Sequence, residues 1–249
     1  MIIIAGPCAI ESYDQAMRIA EFVYQAGANM YRGGVFKPRS SPDDFQGMGE
    51  EGLYILSDIR KFMPVVTEAT QIYNVNLVAE NCDMIQVGSR NMHNVELLKA
   101  IGKTGKDILL KRGYAALLRE EWINSYNYIE KERQFFCKQG VTYMCERGIR
   151  TFESYTRNTL DLSAIVALNK MGYKTIVDPS HATGRPELII PLSLAAVAAG
   201  ANGIMVEVHD KPDEAKCDGH QALSFHQFAE LVDKITHLKQ FMENNLYEN

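Results

Sequence analysis

Side chains that commonly ligate divalent metal ions stand far apart along the chain, at Cys8, His181, Glu207 and Asp218. A thiolate, an imidazole and two carboxylates together suit a borderline ion such as Mn²⁺, Fe²⁺, Co²⁺ or Zn²⁺. Their spacing alone establishes no site, because a lone buried cysteine is more often a small core residue and a lone histidine is more often a structural one. A metal site requires a fold that brings the two ends of the chain together.

A second group of side chains is cationic and could bind phosphates or carboxylates. Its members are Arg32, Lys37, Arg39, Arg90, Lys111, Arg112, Arg147 and Arg150. Arginine binds such anions through paired hydrogen bonds, and lysine binds them as a point charge. For any one of these residues alone, a solvated surface position would be the better interpretation.

The chain that positions these residues alternates short apolar runs with longer stretches of helical period. The runs lie at 2–5, 29–32, 64–67, 84–87, 108–111, 141–145, 175–177 and 203–208. They do not alternate with polar residues, which is typical of parallel strands buried on both faces. The helical stretches lie at 13–26, 50–62, 71–80, 94–101, 125–139, 159–171, 188–199 and 224–244. Eight such pairs favour an α/β fold, a single (β/α)8 TIM barrel, over a doubly wound sheet, which often carries a G-x-G-x-x-G turn that is absent here.

In a barrel of this type, the active site lies at the carboxyl ends of the strands. The cationic residues follow predicted strands two, four, five and six, and the metal-ligating residues follow strands one, seven and eight. Closure of a barrel brings strand one next to strand eight. The sequence therefore predicts that both groups meet at one mouth, which makes a cationic pocket more plausible than scattered surface charges.

Length and composition limit the class of protein. The 249 residues fit one catalytic domain over 1–249, and the net charge of −5 argues against a general nucleic-acid partner. The amino-terminal apolar run is too short for a secretory signal or a membrane span. The five scattered cysteines fit a reducing compartment. We therefore expect a cytoplasmic enzyme with no nucleic-acid and no membrane partner.

Several motifs, in barrel order, resemble one known family. They are GPCAIES (6–12), KPRSSPDDFQG (37–47), QVGSRN (86–91), LLKRG (109–113), CERGIRTFE (145–153), DPSHATG (178–184) and VEVHDKPDEAKCDG (206–219). Together they are similar to 3-deoxy-D-arabino-heptulosonate 7-phosphate (DAHP) synthase of the compact type I beta variety, and also to 3-deoxy-D-manno-octulosonate 8-phosphate synthase. The motifs extend from position 6 to position 219, nearly the whole chain.

The resemblance implies a metal-dependent, aldol-type condensation of phosphoenolpyruvate, erythrose 4-phosphate and water that gives DAHP and phosphate. This is the first step of the shikimate pathway to the aromatic amino acids. One divalent ion (Mn²⁺, Fe²⁺, Co²⁺ or Zn²⁺) would be held by Cys8, His181, Glu207 and Asp218. Phosphoenolpyruvate would contact Arg90, Lys111 and Arg147, with Arg32 and Lys37 on its carboxylate side. The aldose phosphate would contact Pro38, Arg39 and Ser40.

Beyond Cys8 and His181, four residues are candidates for proton transfer or for the attacking water. Glu68 and Glu146 could orient the water, or could equally brace nearby arginines. His209 and Lys37 could transfer protons. Lys111 could in principle form a Schiff base, but the cationic surroundings and the resemblance favour charge pairing.

Three other functions compete with this prediction. An octulosonate synthase would use arabinose 5-phosphate, but its segment after strand two usually reads K-A-N-R-S-S, whereas this chain has KPRSSP (37–42). A non-catalytic, anion-binding barrel would not need the full set of metal ligands. A metal-dependent pyruvate aldolase would need fewer cationic residues, because pyruvate carries no phosphate.

The chain departs from the family pattern at Tyr114, where methionine is expected, and at Cys217 and His220, where serine and proline are commoner. Cys217 could compete for soft metals. The sequence begins directly at the first strand, so we expect no regulatory domain and no built-in feedback control by aromatic amino acids. We also expect a homo-oligomer, a dimer or tetramer, and a possible association with chorismate mutase at the amino-terminal end of the barrel.

Overall fold

A closed barrel of eight parallel strands, each paired with the next and β1 with β8, forms the centre of the computed structural model, which describes residues 1–38 and 41–246. The strands are β1 (Ile2–Gly6), β2 (Met30–Arg32), β3 (Val65–Glu68), β4 (Met84–Val87), β5 (Asp107–Lys111), β6 (Thr142–Glu146), β7 (Lys174–Val177) and β8 (Gly203–Glu207). The predicted TIM barrel is confirmed, and every strand overlaps its predicted run.

Helices surround the barrel. They are α1 (Tyr13–Gln25), α2 (Glu50–Ile59), α3 (Val75–Asn81), α4 (Val95–Gly102), α5 (Ile123–Phe135), α6 (Leu162–Lys170), α7 (Pro179–Thr183), α8 (Pro186–Ala198) and α9 (Phe225–Leu246). A short π-helix, Leu118–Trp122, precedes α5. Within the part of the chain that the structure describes, no helix combines the length and the apolar character that crossing a bilayer requires.

Two apolar layers explain the uninterrupted hydrophobic strands. One fills the barrel and includes Ile4, Met84 and Met205. The other lies between strands and helices and includes Ile85 and Trp122. Each strand therefore has apolar side chains on both of its faces. For this reason its sequence does not alternate between apolar and polar residues, as that of a strand in a half-exposed sheet does.

The short helix α7 was not predicted, although it positions a candidate ligand. It begins after Asp178, whose side chain accepts a hydrogen bond from the His181 amide, and it carries Pro179 at its first position. It ends at Gly184, whose left-handed backbone (φ 65°) suits glycine. Five residues are too few for a helical period, so only the capping residues indicated this helix.

Gly6 ends β1 at the point where the chain turns toward Cys8. Its backbone has φ 146°, and a Cβ atom at this position would lie 2.2 Å from the carbonyl oxygen of Arg32. The first two strands can therefore approach each other here only if residue 6 has no side chain.

Replacing Gly6 with alanine is expected to lower the free energy of unfolding by about 3 kcal/mol or more, because backbone strain and overpacking add. Gly172→Ala is the matched control: it also has a positive φ (87°), but no atom lies within 4 Å of the added Cβ. We expect Gly172→Ala to lower the free energy of unfolding by only about 1–2 kcal/mol. Urea denaturation measures both, and equal losses would contradict the steric explanation.

Candidate active site

A polar cavity opens at the carboxyl ends of the strands. The predicted site residues that line it are Cys8, Arg32, Lys37, Pro38, Glu68, Arg90, Lys111, Arg147, His181 and Asp218. They come from strand ends and loops all around the barrel, so the cavity is the meeting point that the order of strands predicted. Arg39 and Ser40 lie outside the described residues.

The four candidate metal ligands come together beside this cavity. One donor atom from each of Cys8, His181, Glu207 and Asp218 lies within 4.8 Å of the other three. His181 Nε2 is 3.0 Å from Glu207 Oε1, and Cys8 Sγ is 3.2 Å from Asp218 Oδ2. Ligand atoms on opposite sides of an ion, each about 2.0–2.3 Å from it, are about 4.0–4.6 Å apart. The cluster therefore fits a single divalent ion with only small side-chain movements.

The protonation chemistry of the cluster also fits a cation. Burial, with the nearby charge of Cys8, raises the pKa of Glu207 well above its ordinary value. The second oxygen of this carboxylate, Oε2, is buried and has no hydrogen-bond partner among the described residues. A bound divalent ion would favour the charged form and would give that oxygen a partner.

Cys8 lies between a cation and a second thiol. Its sulfur accepts a hydrogen bond from Lys37 Nζ at 2.9 Å, and Cys217 Sγ is 3.3 Å away. The hydrogen bond with Cys217, in which Cys8 keeps the shared proton, together with burial raises the pKa of Cys8 to about 11, although Lys37 acts in the opposite direction. The same contact lowers the pKa of Cys217. Two sulfur atoms therefore face one metal-ligand cluster.

His181 is oriented by groups behind it. Its Nδ1 lies 2.7 Å from Asp178 Oδ2, which leaves Nε2 directed at Glu207. The ammonium of Lys111 lies 2.6 Å from the same Asp178 oxygen. Burial alone would raise the pKa of Asp178, but the charges of His181 and Lys111 outweigh it and hold that pKa well below its ordinary value. A carboxylate that fixes a ligating imidazole is a common feature of metal sites.

The cationic wall of the cavity is held largely by carboxylates and carbonyls. Arg32 donates to Glu207 at 3.3 Å. Arg90 is exposed and donates to the carbonyl of Pro38 at 3.0 Å. Arg147 is buried, with its guanidinium 4.6 Å from the ring centre of Tyr114. The wall therefore presents several cations to one small volume, which suits an anionic ligand.

Besides Glu207, which lies in the four-ligand cluster beside the cavity, four of the predicted residues do not line it. Glu146 is buried and accepts from Arg112 at 2.9 Å and from the Gly148 amide. Arg112 also pairs with Asp161 at 2.9 Å. His209 contacts Gln15 at 3.0 Å and the amide of Lys211 at 3.0 Å. Arg150 is exposed at the rim. The contact between Glu146 and Arg112 fits the alternative prediction, in which Glu146 braces an arginine.

Other residues of the site were not predicted as such. Asp178 lies in the DPSHATG motif (178–184) but was assigned no role, and its contact with His181 became visible only with the turn of α7. Arg157 lines the cavity and reaches both Asp218 Oδ1 at 3.4 Å and Gln221 Oε1 at 2.9 Å. It lies in the long loop after β6, beyond the strand-end positions, so strand order gave no signal for it.

Comparison with known proteins places the chain among related enzymes. The family model described as the DAHP synthetase I family matches residues 1–244. A phospho-2-dehydro-3-deoxyheptonate aldolase of Thermotoga maritima is 47% identical over 241 residues, which is 95% of this chain and 69% of that protein. A 2-dehydro-3-deoxyphosphooctonate aldolase of Syntrophobacter fumaroxidans is 32% identical, covering 97% of this chain and 88% of that protein.

Solved structures agree with the sequence comparison. The crystal structure of the phospho-2-dehydro-3-deoxyheptonate aldolase (DAHP synthase) of Thermotoga maritima superposes with a TM-score of 0.91 at 45% identity, covering 97% of this chain and 70% of that chain. A truncated form of the 3-deoxy-D-arabino-heptulosonate 7-phosphate synthase from the same organism gives 0.87 at 42% identity, covering 97% and 87%.

Metal binding is expected to protect Cys8 from alkylation, because a ligating thiolate is no longer a free nucleophile. Iodoacetamide labelling at pH 8.5, with and without Mn²⁺ or Zn²⁺, can be followed by mass spectrometry of the cysteine peptides. Cys137 is exposed and lies outside the cluster, so its labelling provides an internal control.

A parallel sample carries Cys217→Ser, so that a change in the alkylation of Cys8 cannot come from the neighbouring thiol. We expect the ion to slow labelling of Cys8 strongly while Cys137 reacts at an unchanged rate. Equal labelling of Cys8 in the presence and absence of both ions would contradict the four-ligand site.

Proposed function

Because the chain belongs to the DAHP synthetase I family, we propose that it condenses phosphoenolpyruvate with erythrose 4-phosphate and water to give DAHP and phosphate. The observation that carries this proposal is the cavity itself, which combines a cluster of four metal-ligating groups with a wall of arginines and lysines. A condensation of two phosphorylated anions needs both features, since the cations offset the repulsion between the substrates.

Erythrose 4-phosphate is proposed as the acceptor because the chain is more similar to a heptulosonate relative than to an octulosonate relative. The heptulosonate relative is 47% identical and the octulosonate relative 32% identical. The Lys37-Pro38 pair also matches the heptulosonate pattern rather than the octulosonate one. Arabinose 5-phosphate remains the alternative acceptor, and the assay described below distinguishes the two.

Phosphoenolpyruvate is proposed to lie against Arg90, Lys111 and Arg147, with Arg32 and Lys37 at its carboxylate. Lys111 is held by Asp178 at 2.6 Å, so its ammonium has a fixed position before substrate arrives. Arg32 is fixed in the same way by Glu207. Side chains that are already oriented lose little entropy when the substrate binds, and this lowers the cost of bringing the two reactants together.

Cys8, His181, Glu207 and Asp218 are proposed to hold one divalent ion, of which Mn²⁺, Fe²⁺, Co²⁺ and Zn²⁺ are the candidates. When bound, such an ion supplies Lewis-acid polarisation of the aldehyde oxygen. The protein contributes the geometry: Asp178 holds the His181 ring with Nε2 toward the cluster, and Arg157 holds Asp218 from the other side.

Two side chains of the cavity are proposed to handle water and protons. Glu68 faces the cavity and accepts from Gln86 at 2.9 Å, whereas Glu146 is turned toward Arg112. We therefore assign the orientation of the attacking water to Glu68. Although burial alone would lower the pKa of Lys37, the neighbouring sulfur atoms and Glu68 raise it above its ordinary value, so Lys37 is an ammonium group before substrate binds.

In the proposed reaction, the methylene carbon of phosphoenolpyruvate attacks the aldehyde carbon. Water then adds to the former enol carbon, and phosphate departs with cleavage of its C–O bond. Glu68 is proposed to orient that water and to take up the proton that it loses, and Lys37 is proposed to donate a proton to the alkoxide that forms from the aldehyde oxygen. The arginines balance the charge of both phosphates throughout.

We propose further that the protein acts in the cytoplasm as a homo-oligomer. The outward side of α8 supports self-association, because Leu188, Pro191, Leu192 and Ala195 form an incompletely buried apolar stripe and Glu187 is the only charged residue of the helix. A helix that is apolar all round normally packs on both sides. A chorismate mutase is a second proposed partner, at the amino-terminal mouth of the barrel, where Ile2, Met30 and Tyr143 are incompletely buried.

The function is tested by phosphate release from phosphoenolpyruvate with Mn²⁺, first with erythrose 4-phosphate and then with arabinose 5-phosphate. We expect release with the four-carbon sugar and at least about 100-fold less after EDTA, the scale expected when a main electrostatic contribution to catalysis is removed. Mn²⁺ added back should restore activity.

Release with only the five-carbon sugar would transfer the assignment to the octulosonate reaction. Phosphate release that persists in EDTA would contradict a role in the reaction for a metal ion bound by the four-ligand cluster. If neither sugar supports release, the proposed reaction is wrong.

Self-association is tested by light scattering after size-exclusion chromatography, against a chain mass of 28.0 kDa. Leu188→Glu adds a charge to the apolar stripe at a position near the helix amino terminus, where glutamate favours the helix. We expect the wild type to elute as a dimer or tetramer and Leu188→Glu to shift toward the monomer. Tyr54→Glu, at an exposed position on α2, is the control. A monomeric wild type would refute the proposal.

The chorismate mutase partner is tested in the same chromatography by adding that enzyme. Co-elution at a larger mass would support the association. Unchanged elution of both proteins would contradict it.

A further inference from the structure

Arg147 differs from the other buried cations of the cavity in having no carboxylate partner. Arg32 pairs with Glu207 at 3.3 Å, and Lys111 pairs with Asp178 at 2.6 Å. Arg147 is only 2% exposed, and within residues 1–38 and 41–246 it forms no ion pair. Its NH1 atom is buried without a hydrogen-bond partner. Burial of a charge in this way is costly unless another group compensates it.

The group that faces the Arg147 guanidinium is the ring of Tyr114. The centre of this ring lies 4.6 Å from Arg147 Cζ and 5.6 Å from Arg150 Cζ. The Arg150 amide also donates to the Tyr114 carbonyl at 2.6 Å, which ties the loop after β5 to the loop after β6. The face of an aromatic ring attracts a cation without neutralising it. Arg147 is therefore stabilised in place while its charge stays available to a ligand.

A carboxylate in place of Tyr114 would have the opposite effect. It would pair with Arg147 directly, and an incoming anion would have to displace it. Arg112 illustrates this case: it is paired with both Glu146 and Asp161 at 2.9 Å, and it does not line the cavity. A ring supplies attraction and a flat support, and it leaves the hydrogen-bonding edge of the guanidinium open to a phosphate.

We propose that Tyr114 is a positioning residue that holds Arg147 for the phosphate group of the substrate by stacking against its guanidinium. The inference rests on the proposed function, in which Arg147 binds phosphoenolpyruvate. It assigns the ring rather than the hydroxyl, since that hydroxyl forms no hydrogen bond with any residue in 1–38 or 41–246. It also gives a role to a position at which this sequence departs from the family pattern. Removing the ring should weaken binding of the anion and leave the chemical step little changed.

The test is isothermal titration of the protein with phosphoenolpyruvate and, separately, with inorganic phosphate. Tyr114→Phe keeps the aromatic face and should bind both within about twofold of the wild type. Tyr114→Met keeps an apolar side chain of similar reach without the face. It should raise the Kd for both anions by about 2- to 30-fold, the range that one cation–π contact supports.

Two controls separate positioning from a general loss of structure. Tyr155 stacks on Arg185 at 4.0 Å outside this cavity, so Tyr155→Met removes the same kind of contact and should leave both Kd values unchanged. In an Arg147→Gln background, the Tyr114→Met change should have an effect of less than about twofold, because the two residues act as a pair. In turnover, Tyr114→Met should raise KM for phosphoenolpyruvate with kcat largely retained.

An unchanged Kd in Tyr114→Met, or an equal loss in Tyr114→Phe, would overturn the inference. The titrations use phosphoenolpyruvate and phosphate alone, so they are independent of turnover. If neither sugar supports phosphate release but Tyr114→Met still weakens anion binding, the proposed reaction fails and the role of Tyr114 stands. If erythrose 4-phosphate supports phosphate release but Tyr114→Met binds both anions as tightly as the wild type, the proposed reaction stands and the role of Tyr114 fails.

Discussion

Buried charges must be compensated, and this constraint organises the carboxyl-terminal mouth of the barrel. Glu207 is about 1% exposed and is contacted by Arg32 on one side and by His181 on the other. Asp178 is equally buried and is shared by His181 and Lys111. Removing one member of such a network would leave its partner charged and unpaired, which costs far more than the pair itself contributes. The side chains that would meet substrate and metal are therefore fixed by their neighbours.

The fold could be predicted from the sequence because its signals are local and repeated. Apolar runs such as 84–87, which coincide with β4, recur eight times with helices between them. The closed barrel follows from that count, and closure brings β1 to β8. Because of this neighbourhood, the sequence alone predicts that Cys8 and Glu207, at opposite ends of the chain, belong to one candidate cluster. Helix α7 was missed because its five residues are too few to show a helical repeat in the sequence.

Strand order alone could predict the site only where its residues lie at or shortly after the end of a strand. Arg90, Lys111 and Arg147 do so, and all three line the cavity. Arg157 lies within a loop whose path depends on contacts with Thr183 and Ala182, and no local pattern encodes that path. Direction is also not encoded by strand order: Glu146 and Glu68 both end strands, yet Glu146 turns to Arg112 and Glu68 turns to the cavity. Such choices depend on which neighbour offers the better compensation for a buried carboxylate.

The position of the metal-ligand cluster links the site to the closure of the barrel. Gly6 at the end of β1 pairs with Glu207 at the end of β8, so Cys8 and Glu207 lie across the seam where the first and last strands meet. Asp218 reaches the same point from the loop after β8, with a left-handed backbone (φ 54°) and a contact with Arg157. The complete donor set exists only when β1 and β8 are paired. An ion that binds this set stabilises the closed barrel through the same linkage that stabilises any native state to which a ligand binds. If the cluster holds an ion as proposed, part of the free energy of binding that ion would stabilise the pairing of β1 with β8.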